Sequence, residues 1–213
     1  MTAKSIADRI RILVVDDHFV VRMGLVASFN LEADMLVVAE ASDGQQAIEQ
    51  YRKHRPDIVV MDLRMPDADG VETTATLCRE MPPPRIIIFS SFAGDENVRR
   101  ALAAGAHAYV VKSAPHSELV AAIRSVHAGK FYLPPALAAD LAQHMSRPGL
   151  NDDELDVLRL VDAGRSNKEI ADALSVSEVT VKRRVGHILQ KLGAADRTQA
   201  ATVAIQRGII LLT

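Results

Sequence analysis

The chain has 213 residues, of which 48% are apolar, 24% charged and 4% aromatic; this suits one large or two modest ordered domains and excludes a disordered tail. Its formal net charge of −2 excludes a uniformly basic protein, although an average can hide opposite segments. Neither an apolar run near the roughly 18 residues of a membrane helix nor a charged and apolar leader is present, so a cytoplasmic protein without membrane contact is expected.

Residues 10–15 (IRILVV) form a short β-branched run that stops at Asp16-Asp17, and helical spacing of apolar residues follows to about Glu32. The same cadence recurs. MLVVAEA (35–41) precedes a helix over about 44–54, DIVVMD (57–62) one over 70–80, RIIIFS (85–90) one over 95–104, and AYVV (108–111) one over 116–128. Five apolar strands joined by helical crossovers predict an α/β unit whose parallel sheet is covered on both faces. The single cysteine, Cys78, excludes an intrachain disulfide and a cysteine-rich zinc site, and is expected on an apolar helix face.

At Gly129 the cadence stops. KFYLPP (130–135), a short helix opened by Pro135 and a turn at Ser146–Gly149 predict a linker over 129–149. A second, all-α unit of four helices is expected over 150–213. Asn151 caps the first helix (152–163), whose opening turn holds Asp152, Asp153 and Glu154 and whose apolar positions are Leu155, Leu158, Leu160 and Val161; Gly164 closes it. A short helix over 167–174 leads through a turn at Ser175-Val176 to a longer one, capped by Ser177 and ending at Leu192 before Gly193. Asp196 caps the last, to about Gln206.

Parallel strands bring their C-terminal ends to one edge, where open α/β sheets place ligands. The polar residues ending these strands are Asp16, Asp17, Asp62, Ser90 and Lys112. Converging carboxylates require a compensating positive charge, and oxygen ligands without His or Cys suit Mg2+, which keeps waters and shares phosphate oxygens. Lys112 and the Ser90 hydroxyl can meet phosphoryl oxygens. Asp62 ends its strand alone and is the better nucleophile for an acyl phosphate, whereas the adjacent Asp16 and Asp17 suit a cation. Any one of these residues could be only a helix cap; five together point to phosphoryl chemistry on an aspartate. Neither GxGxxG nor GxxxxGK[ST] follows the first strand, which argues against a nucleotide site.

With VVDD at 14–17, MDLRMPDADG at 61–70, FS at 89–90 and AYVVK at 108–112, residues 10–128 resemble the receiver domain of two-component response regulators, and the domain is taken as 1–128. The resemblance implies a flavodoxin-like (βα)5 fold of strand order 2-1-3-4-5. It implies that Asp62 accepts a phosphoryl group from a phosphohistidine of a sensor histidine kinase, with Asp16, Asp17 and Asp62 holding Mg2+ and Lys112 on the phosphoryl group. By the same resemblance Ser90 is the switch hydroxyl and Tyr109 the ring that moves inward as that hydroxyl turns; read from the residues alone, Tyr109 is a core tyrosine. Pro66 and Gly70 match the loop and the helix start after the acceptor.

Charge is unevenly placed in the remainder: 150–178 has 3 Lys/Arg against 8 Asp/Glu, and 179–213 has 6 against 1. At 100° per residue, Val181, Val185, Ile188, Leu189 and Leu192 share one face of the long helix. Arg183, His187 and Gln190 lie opposite, with Lys182 and Gly186 at the near flank. A helix-turn-helix with its cationic side outward is the geometry that enters a DNA major groove. Gly186 permits close backbone approach at a helix cost of about 1 kcal/mol, and Ser177 and Thr180 can reach phosphate from the helix N-terminus. Basic charge alone would equally serve RNA or an acidic protein.

Residues 150–207 resemble the LuxR-type helix-turn-helix that ends NarL/FixJ-type response regulators, on the text LVDAGRSNKEIADALSVSEVTVKRRVGHILQKLGAADRTQA (160–200). Two places depart from the family pattern: Asp153 stands where an arginine is usual and Arg184 where a histidine is common. The resemblance implies a phosphorylation-controlled transcription factor that binds double-stranded DNA as a homodimer, without being an enzyme acting on a separate substrate. Ser177, Thr180, Lys182, Arg183, Arg184, Gly186, His187 and Lys191 are the expected DNA contacts. The alternative is a phosphotransfer or protein-interaction module whose helical end binds a protein.

Overall fold

The five apolar runs become strands in the computed structural model, which describes residues 9–65, 68–145 and 149–210. These are β1 (Ile10–Val15), β2 (Met35–Ala41), β3 (Ile58–Met61), β6 (Arg85–Ser90) and β7 (Ala108–Val111), with a short pair, β4 (Arg64–Met65) and β5 (Ala68–Asp69), between β3 and β6. The sheet runs β2-β1-β3-β6-β7 with every neighbouring pair parallel, which is the expected order. Alternation sends Ile12, Val14, Ile58, Val60, Ile87 and Val110 into one buried cluster with Phe29, Leu119 and Ile123. Their strand neighbours Leu13, Val59, Met61, Ile86 and Ile88 are buried on the opposite face. A strand buried on both faces must be apolar throughout, and this is why each appeared as an uninterrupted run.

The crossovers are α1 (Phe19–Leu31), α2 (Gly44–His54), α3 (Gly70–Leu77), α4 (Asp95–Ala103) and α5 (His116–His127). α3 is shorter than expected and Cys78 follows it as its C-cap, with Sγ 3.8 Å from the Gly105 carbonyl, so the thiol is not on a helix face. The antiparallel β4–β5 ribbon was not expected: two residues a side give no readable periodicity. Pro66 and the 146–148 part of the expected turn lie outside the described residues.

The stretch read as linker begins laid against the sheet. Tyr132 donates its N–H to the His107 carbonyl at 3.0 Å and bridges Ala108 in parallel, while Phe131 stacks on His107 with centroids 5.4 Å apart. α6 (Pro135–Met145) follows. The chain folds as two compact units, one of Met1–Phe92 with Val98–Pro135 and the other of Ala93–Asn97 with Ala136–Thr213.

The C-terminal helices are α7 (Asp152–Asp162), α8 (Asn167–Leu174), α9 (Glu178–Leu192) and α10 (Arg197–Gln206). Caps set their bounds. Asn151 and Ser166 form full capping boxes with Glu154 and Glu169, Ser177 caps α9 and Asp196 caps α10. Ser175 takes the left-handed conformation (φ 54°) between α8 and α9, as does Gly193 (φ 66°) after α9. Val157, Leu158, Val161, Ile170, Val181, Ile188 and Leu192 are buried together with Ala200, Ala204 and Ile210. Val157 was missed, while Leu155 and Leu160, expected in the face, are only half-buried because they sit at its flanks. Among the described residues no helix is long and apolar enough to cross a membrane.

Candidate functional site

Because β1, β3, β6 and β7 run parallel, Asp16, Asp62, Ser90 and Lys112 arrive at the same edge of the sheet. Asp16 and Asp62 are 1% and 5% exposed, and the Lys112 ammonium donates to both, at 2.7 and 2.6 Å. Burial pushes the Asp62 carboxyl above its usual range, with the Asp16 charge adding to the rise and Lys112 opposing it. Burial alone would lower the Lys112 pKa; hydrogen bonds to Asp16 and Asp62 outweigh it and raise the value. One lysine thus bridges a buried carboxylate pair.

Gly70 supports Asp62 from below. A Cβ at Gly70 would lie 2.2 Å from the Asp62 carbonyl oxygen, and the Gly70 N–H donates to Leu63 O at 2.9 Å. Only a residue without a side chain lets α3 start this close to the strand end.

The expected cation ligands converge. Ligand atoms of Asp16, Asp17 and Asp62 lie within 4.8 Å of one another together with a nitrogen of His18. Three carboxylates, two of them buried, are a donor set that fits a hard divalent cation such as Mg2+. His18 was missed by the expectation of a site without histidine; its Nδ1 lies 2.8 Å from Asp17 Oδ1 and its backbone N–H donates to Asp16 Oδ1 at 2.8 Å. The signal was its place beside the acidic pair.

Ser90 is fully buried and its hydroxyl accepts from the Phe92 N–H at 3.2 Å. Tyr109 is also fully buried and donates to the Phe92 carbonyl at 2.5 Å. Burial pushes its phenol pKa up to about 12, with the Asp62 charge adding and a Ser90 hydrogen bond opposing. Tyr109 is therefore a core tyrosine tied by its hydroxyl to the loop after β6, with its ring already inward. Above that loop the Arg64 guanidinium lies 3.6 Å from the centre of the Phe92 ring.

On α9 the expected contacts separate into two groups. Lys182, Arg183, Gly186 and His187 are exposed or half-exposed. Ser177 and Thr180 join their hydroxyls at 2.9 Å at the helix start. Arg184 and Lys191 do not join this outward set: Arg184 is bonded to Asp153, and Lys191 to Glu154 at 2.6 Å and the Gly149 carbonyl at 3.1 Å. Burial would raise the Glu154 carboxyl, but Lys191 and the Asn151 N–H outweigh it and lower the pKa. Val179, 79% exposed on the first turn, is an outward residue that reading for charge alone passes over.

The family model described as the response regulator receiver domain matches residues 12–124, and that of bacterial regulatory proteins of the luxR family matches 149–204. The chain is 37% identical over 209 residues to the transcriptional regulatory protein LiaR of Bacillus subtilis (strain 168), covering 94% of this chain and 99% of LiaR. It is 35% identical over 206 residues to the response regulator protein VraR of Staphylococcus aureus (strain NCTC 8325 / PS 47), covering 94% and 99%. Among solved structures, the response regulator ChrA of a heme-sensing two-component system is 37% identical, covers 95% of this chain and 100% of its own, and has a TM-score of 0.57. The chain belongs to the response regulators, a receiver followed by a luxR-type helix-turn-helix, the build of a DNA-binding transcriptional regulator.

Proposed function

We propose that Asp62 is the phosphoacceptor through which a sensor histidine kinase controls DNA binding by α9. The observation that carries this reading is the convergence of buried Asp16 and Asp62 on one ammonium, Lys112. An Asp62 oxygen attacks the phosphorus of a phosphohistidine, the P–N bond breaks with its electron pair going to the imidazole nitrogen, and that nitrogen takes a proton from solvent. Burial raises the basicity of that oxygen, while Lys112, already within 2.6 Å, is placed to follow the phosphoryl oxygens. Asp16, Asp17 and Asp62 would hold a magnesium ion, which would supply charge neutralisation for the transferring group. Ser90 turns its hydroxyl toward the phosphoryl group and Tyr109, anchored to Phe92, registers the change in the loop between them.

The receiver domain takes residues 1–128, the linker 129–149 and the DNA-binding domain 150–213. Ser177, Thr180, Lys182, Arg183, Gly186 and His187 contact duplex DNA, two copies pair on it, and the protein acts in the cytoplasm as a regulator without a separate substrate. Intact-mass measurement after incubation with acetyl phosphate and Mg2+ tests the centre of this reading. Wild type gains one phosphoryl group, and Asp62→Asn, nearly isosteric but lacking the nucleophilic oxygen, gains none. A fully occupied adduct on Asp62→Asn moves the acceptor to another carboxylate.

A further inference from the structure

Two cations of α9 are turned back onto the first turn of α7. Arg184 and Lys191 are seven residues apart, so they lie within about 20° of each other on the helix, and both meet neighbouring acids, Asp153 and Glu154. The two pairs differ in their other duties. Glu154 is 4% exposed, closes the capping box of α7 and holds Lys191, which also donates to Gly149, so this pair binds the domain together. Asp153 is 66% exposed at its side chain, and Arg184, itself 19% exposed, is its only side-chain partner among the described residues.

We infer that Asp153 is a positioning residue that restrains DNA affinity by holding Arg184 away from the phosphate backbone. This rests on the reading of α9 as the DNA-contacting helix. An exposed carboxylate on the flank of that helix acts twice. It occupies a guanidinium that would otherwise neutralise a phosphate, and it places negative charge beside the strand that α9 approaches. Phosphate contacts carry no sequence information, so the restraint falls equally on preferred and arbitrary sequences. Arg183, on the outward face, is left to discriminate.

The test uses the full chain, a duplex it selects from a random pool and a scrambled duplex, each titrated across a salt series. Asp153→Asn frees Arg184 to engage one further phosphate, so both duplexes bind more tightly by a similar factor. The slope of log affinity on log salt steepens by about 0.9, equivalent to roughly 3.5-fold more affinity lost between 50 and 200 mM salt. Asp153→Glu keeps the restraint, and Asp153→Asn with Arg184→Gln loses the gain. Circular dichroism verifies that α7 has kept its helix after the charge is removed from its first turn. Unchanged or weakened binding by Asp153→Asn, or a gain that survives loss of Arg184, overturns the inference while leaving the DNA-binding reading in place. Failure of the wild-type chain to bind any duplex overturns that reading, and the inference with it.

Discussion

Three carboxylates share the receiver pocket, but they are not equivalent. Asp16 and Asp62 are buried and already joined through Lys112, whereas Asp17 keeps a partly exposed side chain whose near partner is His18. Removing Asp17 therefore takes a ligand from a cation without breaking the Asp16–Lys112–Asp62 bridge that holds the strand ends. Asp17→Ala should weaken Mg2+ binding at least about tenfold, the scale on which even the outer partners of metal ligands act, with thermal stability nearly unchanged. Titration of Mg2+ against both proteins checks this; equal affinities would assign the acidic cluster a purely structural role. The pocket's carboxylates and lysine were legible because parallel strands fix where their last residues go. His18 was not, because its approach to Asp17 depends on the turn into α1. The state of Tyr109 was half legible: its core position followed from the apolar strand, but the bond to Phe92 depends on a loop with no periodicity.

At the scale of the helix, α9 divides its cations by direction. Arg183 points away from Val181, Ile188 and Leu192, while Lys182 lies nearer the flank. A bidentate contact from Arg183 to guanine is worth about 1–3 kcal/mol of discrimination, and a lysine on backbone phosphate contributes to all sequences alike. Arg183→Ala should thus lose affinity for the selected duplex and relax selectivity. Lys182→Ala should weaken selected and scrambled duplexes together and lower the salt slope by about one unit or less. Binding across a salt series, with helicity checked, separates these outcomes; two folded variants with wild-type behaviour would give α9 a protein partner instead. The outward and inward faces of this helix could be read from 3.6-residue periodicity. Its flanks could not, because periodicity does not say which neighbour a flank meets: Arg184 and Lys191 find partners 31 and 37 residues away. The caps Asn151, Ser177 and Asp196 were legible for a local reason, since each bonds within three residues of itself, whereas Ser166, which caps α8 by the same geometry, was passed over. The β4–β5 ribbon lacked even that local signature.

For the molecule as a whole, each of the two parts has its own buried cluster, one around Phe29 and Ile123 and the other around Val157 and Ile188. On the proposed reading, phosphorylation of Asp62 alters DNA binding across that division, and pairing of two chains is the route with the largest leverage. One small helix-turn-helix makes few base contacts, whereas two half-sites bound together convert the second contact into an intramolecular one, a gain of roughly 10²–10⁴-fold where the geometry permits. The full chain with acetyl phosphate and Mg2+ should therefore bind a duplex carrying two half-sites at least about tenfold more tightly than the untreated chain. A duplex with one half-site should gain much less, and Asp62→Asn should respond on neither. Light scattering after size exclusion should register the treated wild type moving from one chain to two over the concentration range in which the affinity rises. A chain that carries the phosphoryl group by mass, stays monomeric on both duplexes and binds one and two half-sites equally would place the control within a single copy, and the dimer would have to be abandoned.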